Sequence, residues 1–412
     1  MMELNIKNFA SIKEASIKID GITVIAGENN TGKSTIGKIL FASFNSLRDI
    51  DKEVRLNILN SINRQWDNFV LDLITMHKTD MDISILYDIL SNILNVEDED
   101  IEKIISNNVG EYIDINDKFI IEAIKSTANR IKEYKNISKE KLSYNIISKY
   151  YNDLFYKQIN SRIFKNTNAE IKLNDFGILL EFKDDKCIKF KKNIYDNNVF
   201  LIDNPFVLDK IYSSYSSSIT DLYLIDKIRH IYNKDYIVDK TLVEEKLEII
   251  YKMLSNAING KIINKDNDFY LAFDNITEPI SIHNISAGLK SFTIIKMMLE
   301  EGILKEKDIL VLDEPEIHLH PKWQLLYAEI IVLIQKVFNL HIVITTHSPY
   351  FLESIELFTK KHGIDDKTNY YLSDINIKEN YSTINLVNDR ISDIYYKMAT
   401  PIEDLIDALG DN

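Results

Sequence analysis

Cysteine is almost absent from this 412-residue sequence, in which Cys187 is the single example. One thiol cannot form a disulfide within the chain or build a cysteine-based zinc site, so both are excluded and a reducing, cytoplasmic location is expected. The sequence also lacks an apolar run of about 18 residues, the length that suits a membrane-spanning helix. Its N-terminus has no basic segment followed by an apolar one, so we expect no signal peptide and no membrane partner.

Basic residues are outnumbered, because 49 lysines and arginines face 63 aspartates and glutamates, a formal net charge of −14. This balance argues against a protein coated in basic surface for nucleic acid. The charge is uneven: residues 51–120 hold 15 acidic and 6 basic residues (net −9), and residues 121–192 hold 9 acidic and 16 basic (net +7). Solvated helix faces are the favoured explanation, and a local basic surface for nucleic acid or an acidic partner is the alternative.

The most informative stretch is 27–35, GENNTGKST, which follows the apolar run 22–26 and precedes apolar residues at helical spacing. It satisfies G-x-x-x-x-G-K-[ST] in the strand, loop, helix context that this phosphate-binding motif requires. Backbone N–H groups would face the phosphates, Lys33 would reach the β- and γ-phosphates, and Ser34 would ligate Mg²⁺. The predicted nucleotide-binding residues are Gly27, Asn29, Asn30, Thr31, Gly32, Lys33, Ser34 and Thr35.

The hydrophobic pattern changes several times along the chain. Residues 2–9 and 12–19 alternate as in a hairpin, apolar positions in 49–165 follow helical spacing, with a last helix at about 138–163, and alternation returns in 170–190. Further predictions are a strand at 198–203, helices at 219–235, 239–259 and about 321–339, short strands at 268–273 and 278–283, and buried strands at 308–313 and 340–346. These patterns predict five segments: a core part at 1–48, a helical insertion at 49–168, a small β meander at 169–211, a helical segment at 212–260, and a second core part at 261–412.

Two carboxylates end the apolar strand at 309–312. In an enzyme with such a phosphate-binding loop, the first acid, Asp313, holds Mg²⁺, usually through water, and the second, Glu314, orients or deprotonates the attacking water. Two surface acids at a strand end are the ordinary explanation for such a pair alone. The presence of Lys33 in the same chain disfavours that explanation.

Ser286 and Gly288 precede an amphipathic helix with apolar residues between Phe292 and Leu299. A hydroxyl and bare backbone N–H groups at a helix N-terminus form an anion site. A simple N-cap serine is the alternative, and alone it would be preferred. Ser286 also lies a short helix upstream of the Asp313 strand, a placement that resembles that of the signature sequence in ABC-type ATPases, and this resemblance favours the anion site.

Together these motifs resemble those of ABC-type ATPases of the RecF/SMC branch, most of all the OLD (overcoming lysogenisation defect) type ATPases and their relatives in bacterial anti-phage systems. Residues 27–35 match the Walker A motif, 285–290 the signature, 309–314 Walker B, and His347 the switch histidine. The run DEPEIHLHP at 313–321 is the most particular to this branch. The resemblance implies an α/β P-loop NTPase head of ABC type, with a mostly parallel sheet, N-terminal antiparallel strands and a large helical insertion.

For that family, the resemblance implies ATP hydrolysis in a sandwich of two protomers. Lys33, Ser34, Asp313, Glu314 and His347 of one subunit would act on ATP and Mg²⁺, with Lys33, Glu314 and His347 in catalytic roles. The other subunit would cap the nucleotide with its signature residues Ser286, Ala287, Gly288 and Lys290. A homodimer or higher homo-oligomer is therefore implied.

Two departures limit what can be transferred from transporter-type ABC proteins. His320 stands where those proteins have the D-loop aspartate, and no glutamine ends a strand as a Q-loop residue would. Glu316, His318 and His320 have the spacing of a metal site, but the same run is what this ATPase branch looks like without a metal, so a metal there is disfavoured.

Three functions fit the motifs. The favoured one is a cytoplasmic regulatory ATPase of an anti-phage defence system, acting with a separate nuclease or toxin effector. The 65 residues after His347 hold two predicted strands, 369–372 and 382–387, and a helix from about 391, which is too little for the TOPRIM nuclease domain of OLD-type nucleases. A RecF/SMC-like DNA-repair ATPase that binds DNA is the alternative, and the long helical insertion disfavours the third, a transporter subunit.

Overall fold

The computed structural model describes residues 2–77, 83–112, 117–193, 195–211, 217–231, 237–258, 260–265 and 268–410. The chain forms two compact units, residues 49–146 and residues 1–48 with 147–412. The smaller unit starts where the helical insertion is predicted to start, whereas the predicted insertion extends to residue 168. Among the described residues, no helix combines the length and the apolar character that a membrane crossing requires.

The first two thirds of the chain contain runs of successive strands and runs of successive helices, and helices alternate with strands mainly after residue 286. The helices are α1 (Lys33–Asn45), α2 (Ile50–His77), α3 (Ile83–Leu94), α4 (Ile101–Val109), α5 (Lys118–Lys135), α6 (Lys139–Phe155), α7 (Ile219–Ile231), α8 (Ile237–Ala257), α9 (Ala287–Glu300), α10 (Pro321–Phe338), α11 (Pro349–His362) and α12 (Ile391–Gly410). The strands are β1 (Met2–Phe9), β2 (Ile12–Ile19), β3 (Ile22–Gly27), β4 (Ala169–Leu173), β5 (Ile178–Lys183), β6 (Lys186–Lys191), β7 (Val199–Ile202), β8 (Lys261–Lys265), β9 (Asp268–Ala272), β10 (Ile280–Ser281), β11 (Ile309–Asp313), β12 (His341–Thr346), β13 (Thr368–Asn376) and β14 (Tyr381–Leu386).

The smaller unit is helical and has its own core. Apolar residues three and four positions apart on α2 and α5, among them Trp66, Phe69, Ile124 and Ile131, are fully or almost fully buried. This spacing places them on one face of each helix, so the core follows from the sequence pattern.

The larger unit is built on one eleven-stranded sheet of order β6-β5-β4-β1-β2-β14-β13-β3-β12-β11-β7. The strands β13, β3, β12, β11 and β7 pair in parallel, as the buried apolar runs predict. The β1–β2 hairpin and the β4–β6 meander are antiparallel, so the complete sheet is mixed. Since β4 pairs with β1, the meander continues the main sheet.

Strand β11 is buried on both faces, which explains its uninterrupted apolar sequence. Alternate residues of a strand face opposite sides, so Leu310 and Leu312 point away from Val311. The first two belong to the core that includes α9 and α10. On the other side, α1 approaches so closely that a Cβ atom on Gly37 would lie 2.6 Å from Val311 Cγ1. The strand is therefore enclosed between two helical layers.

The basic strand β6 lies at the edge of the sheet. Lys186 and Lys189 are exposed there, and Lys189 Nζ lies 2.6 Å from Glu181 Oε1. Lysines on an edge strand hinder pairing with a strand of another molecule. This placement supports the solvated-face explanation of the positive charge in 121–192.

Candidate functional site

The phosphate-binding loop connects β3, which ends at Gly27, with α1, which begins at Lys33. Gly32 has a φ of +92°, a left-handed conformation that favours glycine, and this turn starts the helix. Thr31 Oγ1 donates to the carbonyl of Glu28 at 2.8 Å, and Ser373 Oγ of β13 donates to the carbonyl of Thr31 at 2.9 Å. The neighbouring strand thus helps to fix the loop.

The remaining predicted loop residues occupy different environments. Asn29 and Asn30 are exposed, while Thr31 is buried. Ser34 and Thr35 are half-buried in the first turn of α1. The N-terminus of a thirteen-residue helix therefore adjoins the loop, which is the arrangement that binds phosphates in P-loop proteins.

Lys33 is buried and points back across the loop. Its Nζ donates to the carbonyl of Gly27 at 3.0 Å and to that of Glu28 at 2.7 Å. The same atom lies 3.6 Å from Glu314 Oε1. The ammonium therefore sits between the loop backbone and the acidic end of β11.

Glu314 joins the loop lysine to the histidine at the end of β12. Its Oε1 lies 3.6 Å from Lys33 Nζ and 3.3 Å from His347 Nδ1. Its backbone φ is +48°, an uncommon left-handed conformation for a residue with a side chain. The backbone N–H of Glu314 donates to Thr345 at both the carbonyl (3.1 Å) and Oγ1 (3.0 Å). Three side chains predicted from separate motifs thus lie together.

Parallel pairing explains why these side chains meet. Asp313 pairs with Thr345, and Thr346 pairs with Ala26, so the carboxyl ends of β11, β12 and β3 are level with one another. Ligands of open α/β sheets bind at this edge. Asp313 accepts a hydrogen bond from Thr345 Oγ1, which orients its carboxylate there.

The chemistry of these donors suits a magnesium nucleotide. A serine hydroxyl in the first turn of α1 and the carboxylate of Asp313 are hard oxygen ligands, the type that Mg²⁺ prefers. Lys33 adds a cation for phosphate oxygens. These properties fit the sequence prediction that Ser34 and Asp313 would hold Mg²⁺ and that the loop residues would hold ATP.

The predicted signature residues begin α9. Ser286 is the exposed N-cap, and its Oγ accepts from the backbone N–H of Leu289 at 3.3 Å. Ala287 is half-buried, whereas Gly288 is buried, and a Cβ atom on Gly288 would lie 2.8 Å from the carbonyl of His318. Among the described residues, no hydrogen bond or ion pair joins residues 286–290 to the phosphate-binding loop of the same chain.

Lys290 has a different environment from the rest of the signature. Its side chain is buried, and Nζ lies 2.5 Å from Asp209 Oδ1 and 2.7 Å from Oδ2. The ammonium also lies 5.1 Å from the centre of the Phe206 ring. Lys290 is thus paired within its own chain to the segment that follows β7, and it supports the signature helix from inside.

In the DEPEIHLHP run, Glu316, His318 and His320 each contact a different part of the structure. Glu316 is buried against Thr346, His318 packs edge-on against Phe206, and His320 caps α10, its Nδ1 accepting from the N–H of Lys322 at 3.3 Å. Within the described parts of the chain, no group of three histidine, cysteine, aspartate or glutamate side chains could hold a metal ion.

Sequence reasoning missed several residues of this site. The hydroxyls of Thr345 and Thr346 donate hydrogen bonds to acidic side chains of the segment that includes the end of β11, and the hydroxyl of Ser373 donates one to the phosphate-binding loop. Asp203 directly follows β7, whose Ile202 pairs with Leu312, so it lies next to Asp313 along the sheet edge. Burial, and secondarily Asp221 and Asp313, raise the pKa of Asp203. The apolar run 199–202 ending in an acid was a signal for Asp203 in the sequence.

A β-strand, a phosphate-binding loop, a helix and an acidic strand two positions along the same parallel sheet define a P-loop ATPase fold. In agreement with this, residues 1–352 match the AAA_15 family model, described as an AAA ATPase domain. The chain therefore belongs to that ATPase family, for which nucleotide binding is the common property.

Individual relatives are more distant. Septu protein PtuA of Bacillus thuringiensis is 29% identical over 138 residues, which span 30% of this chain and 33% of that protein. A structure of an SmcHead bound to the C-winged helix domain of ScpA covers 93% of this chain and 97% of its own, with 12% identity and a TM-score of 0.47. The SMC head domain from Thermotoga maritima covers 93% and 98%, with 12% identity and a TM-score of 0.39.

Proposed function

We propose that this chain is a Mg²⁺-dependent ATPase that closes as a dimer around ATP and regulates a separate effector protein of an anti-phage system. The observation that carries the enzymatic part is the convergence of Lys33, Glu314 and His347 at one sheet edge. Phosphoryl transfer depends mainly on positioning and on charge stabilisation, and this cluster offers a cation, a carboxylate and an imidazole at hydrogen-bonding or ion-pairing distance.

Each residue has a distinct role in this proposal. Lys33 exchanges the carbonyls of Gly27 and Glu28 for phosphate oxygens when ATP binds. Glu314 accepts the proton of the attacking water, and His347 donates a hydrogen bond to the γ-phosphate. Bound Mg²⁺, held by Ser34 and Asp313, would neutralise charge on the β- and γ-phosphates.

A second copy of the chain is proposed to complete the site. Ser286 is exposed at a helix N-terminus, where it and the adjacent backbone N–H groups can meet an anion from outside. Large apolar side chains of the segments around the site are also exposed: Phe206, Ile317 and Tyr350, of which Ile317 is 53% exposed. Burial of such side chains against a partner stabilises association.

Mixing two inactive variants tests the shared site. Ser286→Arg should block turnover, because a bulky cation at this position prevents the signature residues from contacting the nucleotide of the partner copy. ATP binding by the isolated subunit should stay nearly intact. Lys33→Ala should also be inactive, because it removes the lysine that the other half of the shared site contributes. A mixture should regain roughly a quarter of wild-type turnover, since about half of randomly paired dimers are mixed and each holds one complete site. Turnover is measured by phosphate release.

The exposed Ser255→Arg variant, on α8, serves as the matched control for the mixing experiment and should leave turnover unchanged. If Ser286→Arg alone is fully active, the signature assignment is wrong. If the mixture stays inactive although the two variants exchange subunits, the site is not shared.

The defence role is supported by the OLD-type motif run at 313–321 and by the partial similarity to Septu protein PtuA. The test is co-expression of the chain with the products of its neighbouring genes. We expect a nuclease or toxin to co-purify, and phage protection to require both proteins and Lys33. Loss of protection by Lys33→Ala at equal protein level is the expected result.

A DNA-repair role predicts a different outcome. Duplex DNA would then bind the purified chain and stimulate its ATP turnover, without any neighbouring effector. The defence role would be favoured if the chain and the product of its neighbouring gene together protect against phage, and if DNA has no effect on ATP turnover.

A further inference from the structure

Glu316 is a buried carboxylate to which none of the roles above is assigned. Its side chain is 2% exposed and follows β11 by three residues. Its Oε1 accepts hydrogen bonds from Thr346 Oγ1 at 2.5 Å and from the backbone N–H of His347 at 3.3 Å. A side chain enclosed in this way does not reach a nucleotide, so its effect on the site acts through its neighbours.

Glu316 belongs to a series of contacts between the segment after β11 and the end of β12. Thr345 Oγ1 donates to Asp313 and accepts from the backbone N–H of Glu314. The next hydroxyl, that of Thr346, donates to Glu316 and accepts from the backbone N–H of Ser348 at 3.0 Å. Ser348 in turn caps α11. The backbone on both sides of His347 is therefore tied to the Glu316 contact.

The imidazole of His347 lies beside both acids. Its Nδ1 is 3.3 Å from Glu314 Oε1 and 3.9 Å from Glu316 Oε1, and the ring itself is 40% exposed. An exposed ring has several rotamers open to it, so its position depends on the backbone and on the groups that face it. Glu316 supplies both restraints, through the N–H of His347 and through the proximity of its carboxylate to Nδ1.

We propose that Glu316 is a positioning residue that fixes His347 beside Glu314. This inference rests on the proposed ATPase function and names the residue that sets the geometry of its histidine. The essential property is the acceptor oxygen at Oε1, because both hydrogen bonds end there. Oε2 has no hydrogen-bond partner within the described part of the chain.

The electrostatic environment of Glu316 differs from that of an exposed carboxylate. Burial raises its pKa, against the lowering effect of the hydrogen bonds from Thr346 and His347. Glutamine keeps the shape and one acceptor oxygen, whereas leucine keeps the approximate size and removes the acceptor. These two substitutions therefore separate the hydrogen bond from the filling of space.

Steady-state kinetics of Glu316→Leu and Glu316→Gln give the first test. Glu316→Leu should lower kcat by about 10- to 100-fold, since a displacement of about 1 Å at a catalytic group has an effect of this order. Its Kd for ATP should stay within about twofold, and Glu316→Gln should recover kcat to within a few-fold. Equal losses of kcat and ATP affinity, or no loss in Glu316→Leu, would overturn the proposal.

A double variant shows whether Glu316 acts through the histidine. In a His347→Ala background, Glu316→Leu should cost less than about twofold in kcat, because the first change has already removed the positioned group. Full additivity of the two effects would contradict the proposal. A merely structural role of Glu316 would give the same loss in both backgrounds.

A spectroscopic readout does not depend on turnover. The chain has eight histidines, so ¹⁵N-histidine labelling gives a simple amide spectrum in which His347→Ala identifies the His347 signal. Glu316→Leu should shift this signal and speed its hydrogen exchange, and Glu316→Gln should restore both. An unchanged His347 signal in Glu316→Leu would overturn the proposal, whereas absent ATP turnover in wild type would contradict only the proposed function.

Discussion

Glu314→Gln should bind ATP but turn it over about 100- to 1,000-fold more slowly than wild type, within the range for loss of a general base. Glutamine has nearly the shape of glutamate but cannot accept a proton from water. The carboxylate lies 3.6 Å from Lys33 Nζ and 3.3 Å from His347 Nδ1, so its replacement removes the acidic centre of the cluster. Phosphate release under saturating ATP measures the effect.

The same variant should accumulate closed dimers. If ATP holds two copies together and hydrolysis releases them, slow turnover prolongs the closed state. Light scattering after size exclusion should therefore show a dimer with ATP and less of it with ADP. Glu170→Gln, which changes a carboxylate paired with Lys172 on β4, should behave as wild type. Wild-type turnover in Glu314→Gln would place the base elsewhere, and the absence of an ATP-dependent dimer would exclude the two-copy arrangement.

The local parts of the fold were predictable because their signals are local. The apolar run 22–26, the loop and the following helical spacing correspond to β3, the phosphate-binding loop and α1. The hairpin of β1 and β2 has the predicted bounds, since apolar and polar residues alternate over most of each strand and this alternation is visible in a short sequence window. Each of these elements is decided by neighbours within about ten residues.

Other elements differ from the predictions for identifiable reasons. The helix predicted to reach about residue 163 ends at Phe155, because Tyr156 and Lys157 take positive φ values. The sequence has no glycine there that would have indicated a turn. Helix α11 was not predicted, although Ser348 and Pro349 form a typical N-cap and first position. Strand β8 was also missed, since its residues are polar at the ends and only half-buried in the middle.

Only those residues of the candidate site that belong to a recognised motif could be predicted from the sequence. Lys33, Glu314 and His347 each follow from a recognised pattern, and parallel strand pairing brings their elements together. The hydroxyl contacts of Thr345, Thr346 and Ser373 depend on residues 30 to 342 positions away, which no window of the sequence shows. The left-handed backbone of Glu314 is equally invisible, because glutamate has no preference for it.

Lys33→Ala should weaken ATP binding by at least about 100-fold and abolish turnover. A hydrogen bond between charged groups is among the stronger interactions of a binding site, and Lys33 is the cation that the loop itself supplies to the phosphates. In wild type its Nζ already lies at the loop, within 3.0 Å of the Gly27 and Glu28 carbonyls, so little movement is needed to reach a phosphate there. Titration with a fluorescent ATP analogue gives the affinity.

Lys38→Ala is the matched control, because Lys38 lies on the same helix and is only half-buried. It should bind ATP within a few-fold of wild type. The comparison also separates binding from folding: both variants remove a lysine from α1, so equal melting temperatures with unequal ATP affinity assign the loss to the phosphate contact. Normal hydrolysis by purified Lys33→Ala would show that residues 27–35 are not the nucleotide site. The proposed roles of Glu314 and His347 would then be wrong as well, because they depend on that site.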